Sequence, residues 1–468
     1  MTGSHVLPGD IILEIAGFAT PSGKSEELCN LRLVSKRFDN LISPLLFSTI
    51  RLEFRDTDYR RSTAPDYTRC HEIIQALATH STTVFDHTKK LYLSLGVLYS
   101  TNSEDVSAAR TSFSDEIFNA ICGLKNLRTI YCFFDTRPDT EELAIKVFRA
   151  LGTLSSFQGF EYIGFSTPFH LTLSFTFKPL SNLTIFRIGG DWDNPENVIP
   201  EVASLLSRCP EMTELSLNGR YSSRLEKPTL RDIFSEIGQL ERPWRLQKLE
   251  LISVVVTLDD IRAHIRHLKH LTFLQIFDSP FSPTFGQIWD IFQQNGIALK
   301  ELSTDHLEDP LYLRYLSSYS GLTSLKLKPS PERYENPEAV KQIYLQVLPK
   351  HAETLESLAI EWRGTPTKEG LAELVKCQKL TDLQVCVDVS KETLEQGDVS
   401  LLEMWFDAGL QLSNLAHLLL LPLETHEGDD WLTFNHAVTE ILLKYREERG
   451  LNFGVNYNWL QKALPGDD

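Results

Sequence analysis

Three histidines spaced three residues apart, His264, His267 and His270, form the most suggestive chemical pattern in this 468-residue chain. Imidazole nitrogens, together with the carboxylates of Asp259 and Asp260 just before them, are groups that bind zinc and other transition metals. A metal site requires ligands that converge, whereas positions separated by three and six residues spread over a wide arc of an α-helix. We therefore expect a solvated helical face here and not a metal site.

Two acidic segments are the next candidates for cation binding. They are Asp191-Trp192-Asp193-Asn194 and the stretch from Glu424 to Asp430, which includes His426. The first lacks the glycine and the final glutamate of a calcium-binding loop, so both are predicted to be solvated turns. The sequence also contains no glycine-rich phosphate loop, no GxSxG motif and no HExxH motif. We expect a non-catalytic protein without a cofactor or a metal.

The spacing of the cysteines and the net charge indicate the cellular compartment and the kinds of partner that we expect. None of the seven cysteines has CxxC spacing, which favours a reduced, intracellular chain, cytoplasmic or nuclear. The net charge of −17 argues against binding to nucleic acid or to an anionic membrane surface and favours a basic partner, although it does not fix the charge of any one patch. The apolar run from Leu418 to Leu421 is too short to span a bilayer. Asp10 and Glu14 interrupt the only apolar stretch at the amino terminus, so no signal peptide is expected.

About fifty residues at the amino terminus contain more apolar surface than a segment of that length can bury alone. Pro8 suits the first turn of a helix, and the isoleucines that follow it share one helical face. The polar segment 20–25 indicates a loop before a second apolar helix. Apolar residues on several sides at once are typical of a docking surface.

The order of these residues resembles the F-box: Leu7-Pro8, a spaced aliphatic helix, and then the run Leu-Arg-Leu-Val-Ser-Lys-Arg-Phe that ends at Phe38. The resemblance implies that this segment binds a Skp-family adaptor and, through it, a cullin. The implied adaptor-binding residues are Leu7, Pro8, Ile11, Ile12, Ile15, Leu28, Leu31, Val34, Ser35, Phe38, Leu41 and Leu45. The sequence departs from the family pattern in two places: Phe38 replaces the commoner tryptophan, and the loop after the first helix is a few residues too long. The alternative is a helical cap that closes one end of a larger domain.

A different pattern recurs through the rest of the chain. Two apolar residues flank one variable position, and another apolar residue often precedes them by three, as in Leu246/Leu249/Leu251 and Phe160/Ile163/Phe165. Successive units lie roughly 30 residues apart, a period typical of repeat solenoids. Each unit predicts a short strand with its apolar residues turned inward. The stretches between the strands, such as Thr229 to Leu240 and Leu258 to Leu268, predict helices, and this alternation implies parallel strands.

This region resembles an irregular leucine-rich-repeat solenoid, which implies strands on the concave side and helices on the convex side. That family carries asparagine or cysteine three residues after the last leucine. Here the position holds residues such as Asp191, Val254 and Ser279, so no asparagine ladder is expected. An irregular α/β domain without a regular horseshoe is the alternative.

The surface opposite the inward leucines is the expected recognition surface. The residues predicted to point there are Tyr92, Tyr131, Phe133, Tyr162, Arg187, Glu250, Phe273, Gln275, Phe277, Lys326, Lys328 and Glu361. Aromatic and arginine side chains are enriched at binding hot spots. Among these residues, Glu250, Phe273, Gln275 and Phe277 are predicted to bind the substrate.

The sequence thus predicts an α/β chain with an F-box at 1–50, a junction with a helix at 51–85, a leucine-rich-repeat solenoid of about twelve units at 86–430, and a helix and cap at 431–468. The two resemblances together imply a substrate-recognition subunit of an SCF-type cullin-RING ubiquitin ligase that binds an unidentified protein. The alternative is a leucine-rich-repeat scaffold or inhibitor without a ubiquitin-ligase role.

Overall fold

The computed structural model comprises two compact units, residues 1–244 and 245–468. The residues that it describes are 25–54, 67–95, 104–134, 138–168, 177–191, 195–220, 227–279, 285–306, 310–328, 336–362, 364, 366–387, 400–422 and most of 440–448. The predicted first F-box helix lies outside them, and so does most of the segment 431–468.

The described strands of the amino-terminal unit are parallel, and each pairs with the next in chain order. They are Thr49–Phe54 (β1), Lys90–Leu95 (β2), Thr129–Phe134 (β3), Gly159–Pro168 (β4), Ile185–Asp191 (β5) and Glu214–Arg220 (β6). The described helices of this unit are Ser25–Arg32 (α1), Lys36–Leu46 (α2), Tyr67–Ala78 (α3), Glu104–Gly123 (α4), Pro138–Gly152 (α5), Pro195–Ser207 (α6) and Leu230–Ile233 (α7).

The carboxyl-terminal unit repeats the arrangement, again with parallel pairing in chain order. Its strands are Lys248–Ile252 (β7), Phe273–Phe277 (β8), Glu301–Thr304 (β9), Ser324–Leu327 (β10), Ser357–Ile360 (β11), Asp382–Val387 (β12) and His417–Pro422 (β13). Its described helices are Leu258–Leu268 (α8), Gln287–Gln294 (α9), Pro310–Ser317 (α10), Pro337–Gln342 (α11), Leu348–His351 (α12), Lys368–Leu374 (α13) and Ser400–Gln411 (α14), with a π-helical turn at Ile343–Val347 before α12.

The apolar repeat explains this architecture. Leu249 and Leu251 of β7 and Leu274 and Ile276 of β8 are buried, and the side chains between them are half-buried. One face of each strand therefore packs on the helices, which a single unit could not cover alone. The chain is an α/β solenoid of the leucine-rich-repeat type. No helix within the described ranges combines the length and the apolar character needed to cross a membrane.

Two sequence predictions are wrong in detail. Tyr162 was expected on the outer face, but it is 2% exposed and lies in register with the inward residue Ile188. The inward residues of β4 are Phe160 and Tyr162, because a Tyr hydroxyl can enter the core when it finds an acceptor, here the Phe134 carbonyl at 3.4 Å. The predicted helix from Thr229 to Leu240 is instead α7 followed by a 3₁₀ turn at Ile237–Gln239.

Hydrogen bonds between repeats replace the missing asparagine ladder at the carboxyl ends of β7–β9. The Ser253 hydroxyl donates to the Asp278 carboxylate, and the Asp278 N–H donates to Asp305 Oδ2 at 2.7 Å. Ser253 and Asp278 have φ of 60° and 52°, a left-handed backbone that aspartate tolerates better than most residues. Ser253 and Asp278 therefore lie one position before the place where the family has its asparagine, while Ser279, at that place, accepts a hydrogen bond from the Val256 N–H at 3.4 Å.

Gly152, at the end of α5, provides a stability test of the packing between repeats. A Cβ at this position would lie 2.5 Å from the Pro179 carbonyl oxygen, a backbone atom that cannot rotate away. We expect Gly152→Ala to lower the free energy of unfolding by about 1–3 kcal/mol, because overpacking outweighs the higher helix propensity of alanine. Gly238→Ala is the control, since its Cβ would meet nothing within 4 Å. Equal denaturation midpoints for the two variants would contradict the prediction.

Candidate protein-interaction surfaces

The helices α1 and α2 form a small pair with its own core. Leu28 and Ile42 are buried at its centre. The residues packed around them are Leu31, Phe38, Leu41 and Leu46. Ser35 begins α2 as its N-cap, because its hydroxyl accepts a hydrogen bond from the Phe38 N–H at 3.3 Å. Ser35 thus has a structural role that does not depend on any partner.

Other apolar side chains of this helix pair face the solvent. Leu33 is 76% exposed, Val34 65% and Leu45 47%. The predicted adaptor-binding residues therefore divide into an inward group (Leu28, Leu31, Phe38 and Leu41) and an outward group (Val34 and Leu45), to which the structure adds Leu33. Leu7, Pro8, Ile11, Ile12 and Ile15 lie outside the described residues. Their role in adaptor binding, like that of the others, stays a prediction.

We use the term outer face for the sheet face that carries the middle residue of each strand, such as Tyr92 of β2. In the amino-terminal unit, three of these residues form a stack at one register, Arg51 on β1, Tyr92 on β2 and Tyr131 on β3. The Arg51 guanidinium lies 4.7 Å from the centre of the Tyr92 ring, and the two tyrosine rings are parallel at 4.3 Å. Partial burial, with Tyr92 and Glu161 nearby, raises the pKa of Tyr131. The Tyr131 phenol therefore remains a neutral donor and acceptor at physiological pH.

The residues at the same register on the next strands, which continue this row across the outer face, form an ionic network. Arg187 on β5 donates to Glu161 on β4 at 3.3 Å and to Glu214 on β6 at 2.6 Å. Two carboxylates around one guanidinium leave this part of the outer face with a net negative charge. The row thus changes from cationic and aromatic at β1–β3 to acidic at β4–β6.

The predicted substrate residues of the carboxyl-terminal unit lie together on its outer face. Glu250 pairs in register with Gln275, while Phe273 and Phe277 occupy the two ends of β8. Lys248 connects them, with its Nζ 4.2 Å from the centre of the Phe273 ring and 2.9 Å from Glu250 Oε1. All four are half-buried. Their role as a substrate site stays a prediction.

A second polar group lies further along the same outer face. Glu361 contacts Lys328 Nζ at 3.6 Å and accepts a hydrogen bond from Gln384 at 2.7 Å. Burial raises the pKa of Glu361, and the Lys328 ammonium opposes that shift. Lys326, one of the residues predicted to face outward, is exposed on β10.

The histidine segment is not the solvated face predicted for it. His267 is fully buried on α8 and accepts a hydrogen bond from Arg266 Nε at 3.0 Å, while His270 is exposed. Within the described part of the chain, no three His, Cys, Asp or Glu side chains are placed to hold a metal ion. Burial raises the pKa of Cys209 to about 11 and of Cys377 to about 12. Neither thiol is therefore a nucleophile at neutral pH.

Comparisons with known proteins give no family for this chain. No protein-family model matches it, and no curated protein matches it. Among solved structures, it is similar to a chain from the crystal structure of the Rad7 and Elc1 complex in yeast, at 15% identity and a TM-score of 0.38, over 91% of this chain and 97% of that one. It is also similar to an internalin (inlF) from Listeria monocytogenes str. 4b F2365, at 14% identity and a TM-score of 0.30, over 76% of this chain and 89% of that one. At these TM-scores, the likenesses add nothing to the functional argument.

The sequence predicts a first strand from Arg51 to Phe54 within the junction segment, but sequence reasoning did not include Arg51 among the outward-facing residues. The signal that could have identified it is the apolar pair Ile50 and Leu52 on either side of it, the same pattern that marks the later strands. Both flanking side chains are buried in the structure.

Proposed function

We propose that this chain is a repeat-based protein receptor, and specifically the substrate-recognition subunit of an SCF-type cullin-RING ubiquitin ligase. In this role, the α1–α2 pair binds a Skp-family adaptor and the solenoid holds a target protein. The chain supplies no nucleophile. It accelerates ubiquitin transfer by raising the effective concentration of the target's lysines near a charged conjugating enzyme.

The observation that supports this proposal most is the exposure of Leu33, Val34 and Leu45. Burying a large aliphatic side chain is worth about 1.5–3 kcal/mol, so exposing three around one small helix pair is unfavourable unless a partner covers them. A helical cap would turn such residues toward the solenoid. The rival proposal, a scaffold or inhibitor without a ligase role, predicts no adaptor at this surface.

A double variant, Val34→Asp with Leu45→Asp, tests adaptor docking. We expect the adaptor and the cullin to co-purify with the wild-type chain and the variant to lose them, because truncating an anchor of this kind costs about 2 kcal/mol or more, roughly thirtyfold in affinity. The fold should persist, since both side chains are already exposed. Affinity purification followed by mass spectrometry provides the measurement.

Leu410→Asp is the matched control, because Leu410 is an exposed leucine of similar accessibility on α14, at 43%. It should retain the adaptor. Absence of any adaptor and cullin from the wild-type purification would favour the rival proposal, a scaffold or inhibitor without a ligase role. Undiminished capture by the double variant would show that another surface binds the adaptor.

A further inference from the structure

A basic cluster accompanies the two stacked tyrosines: Arg51 and Lys90 lie on the outer face of β1 and β2, and Lys89 and Arg128 directly precede β2 and β3. All four side chains are exposed, and none forms an ion pair with any residue that the structure describes. Asp86 is the only acidic residue between positions 79 and 95, and it is not paired with them. Among the side chains that the structure describes, no carboxylate pairs with these four cations, although the chain as a whole carries −17.

The strand register places Lys89, Lys90 and Arg128 along one edge of the stack to which Arg51 itself belongs. Lys90 is two residues before Tyr92 on β2, hence on the same face, and it pairs across the sheet with Thr49 and Thr129. Lys89 and Arg128 directly precede β2 and β3, and the Arg128 N–H donates to the Lys89 carbonyl at 2.8 Å. The cations thus follow the amino-terminal ends of adjacent strands, next to the aromatic pair.

Arg51 is oriented in advance for an anion. Its guanidinium lies over the Tyr92 ring, which is itself stacked on Tyr131, so the side chain loses less conformational freedom on binding than a fully solvated arginine would. A guanidinium held by its flat face still has N–H groups at its edge, and these match the two oxygens of a carboxylate. Lys90 offers a second, less directional positive charge nearby.

The neighbouring ionic network limits how far an anionic ligand can extend. Glu161 and Glu214 surround Arg187 with one excess negative charge, so the row becomes repulsive to anions from β4 onward. A long polyanion such as RNA would meet these carboxylates if it followed the row. A short acidic segment of a protein, with apolar or aromatic side chains beside its carboxylates, fits both the charge and the tyrosine stack.

We propose that the outer face of β1–β3 binds a short, extended, acidic segment of a partner protein, with its carboxylates on Arg51 and Lys90 and its apolar side chains against Tyr92 and Tyr131. This inference rests on the proposed function only in taking the recognised partner to be a protein. It assigns the recognition chemistry to the amino-terminal unit, in addition to the patch predicted around Phe273.

A peptide-display selection with the purified full-length chain tests this surface without any adaptor. A library of random dodecapeptides should yield binders enriched in Asp and Glu, and the most enriched peptide is then synthesised with a fluorescent label for anisotropy titration. The variant Arg51→Glu with Lys90→Glu should bind this peptide at least about tenfold more weakly. Binding should also weaken with salt, since the screening length falls from about 30 Å at 0.01 M to about 8 Å at 0.15 M.

Two further variants test whether a loss of affinity is specific to this surface and to the guanidinium of Arg51. Lys350→Glu is the charge-reversal control, because Lys350 is exposed on the helix α12, away from the strands, and should leave the affinity unchanged. Arg51→Lys keeps the charge but loses the fork-shaped donor set, so it should bind with intermediate affinity. It also serves as the test if the double reversal fails to fold.

Selected peptides without acidic enrichment would overturn the inference, and so would an unchanged affinity in a folded Arg51→Glu/Lys90→Glu variant. Tighter binding of a labelled ten-nucleotide oligouridylate, lost in the same variant, would overturn it in favour of RNA. If the adaptor co-purifies while the acidic peptide does not bind, only this inference fails. If the peptide binds and no adaptor co-purifies, only the ligase role fails.

Discussion

Replacing His351 with alanine is expected to lower the free energy of unfolding of the carboxyl-terminal unit by about 2–4 kcal/mol. His351 is 1% exposed and joins two backbone groups. Its Nε2 donates to the Leu316 carbonyl at 2.9 Å, and its Nδ1 accepts from the Leu322 N–H at 3.2 Å. Its ring also contacts Tyr319, at 5.2 Å between ring centres. Alanine would leave both backbone groups without their partner and open a cavity between repeats.

Denaturant unfolding of the wild type, His351→Ala and His270→Ala measures this effect. His270 is exposed on the same unit, so its loss should change the stability by no more than about 0.5 kcal/mol. If both variants unfold at the same denaturant concentration as the wild type, then the two hydrogen bonds of His351 contribute nothing net to stability.

Acidification is expected to destabilise the same unit through its two buried histidines. Burial, together with the positive charges of Arg266 and His264, lowers the pKa of His267 to about 4. Burial also lowers the pKa of His351. Both folded-state values lie below the unfolded value of about 6.5, so the unfolded chain takes up protons first as the pH falls. The stability contributed by neutral His267 is complete above about pH 6.5 and is lost between about pH 6.5 and 4, on the order of 3 kcal/mol in all.

A comparison of unfolding free energies at about pH 7.5 and about pH 5 isolates this effect from the general protonation of carboxylates. His267→Leu should lose less stability than the wild type over this interval, because leucine takes up no proton. His270→Leu should lose as much as the wild type. Parallel pH profiles for His267→Leu and the wild type would show that protonation of His267 is not coupled to unfolding.

The parallel α/β repeat was predictable because it is local. Each strand needs two inward apolar residues with one residue between them, and Leu249 with Leu251, or Leu274 with Ile276, shows that requirement directly in the sequence. Helix starts were equally accessible. Thr257 and Asp260 form a capping box at the start of α8, in which each side chain accepts a hydrogen bond from the backbone N–H of the other.

Polar residues in the core were the main source of error. Tyr162 and His267 are both buried, although the sequence analysis predicted an outward position for Tyr162 and a solvated helical face for His267. Tyr162 can enter the core because the Phe134 carbonyl of the preceding strand accepts its hydrogen bond, whereas His267 accepts a hydrogen bond from its chain neighbour Arg266. The partner of Tyr162 comes from a neighbouring repeat, so no local pattern reveals it.

In the helix pair α1–α2, too, the sequence predicts one part of the arrangement and the tertiary structure decides the rest. The sequence identified its apolar positions, but periodicity alone could not tell which of them face each other. Leu28, Leu31 and Phe38 pack inward, whereas Val34 and Leu45 face the solvent. That distinction decides which residues can bind an adaptor, because only exposed side chains are available to a partner.

The sequence by itself determined the repeat, the parallel α/β architecture and the inward positions of most strands, because these depend on burying apolar side chains at short, regular spacing. The tertiary structure decided which outward residues become neighbours. Arg51, Tyr92 and Tyr131 follow one another at intervals of about forty residues in the chain, yet they stack because strand pairing places them at one register. That register is set by the packing of whole repeats. The chemistry of the outer face, unlike the fold that carries it, therefore emerges only when the repeats are stacked.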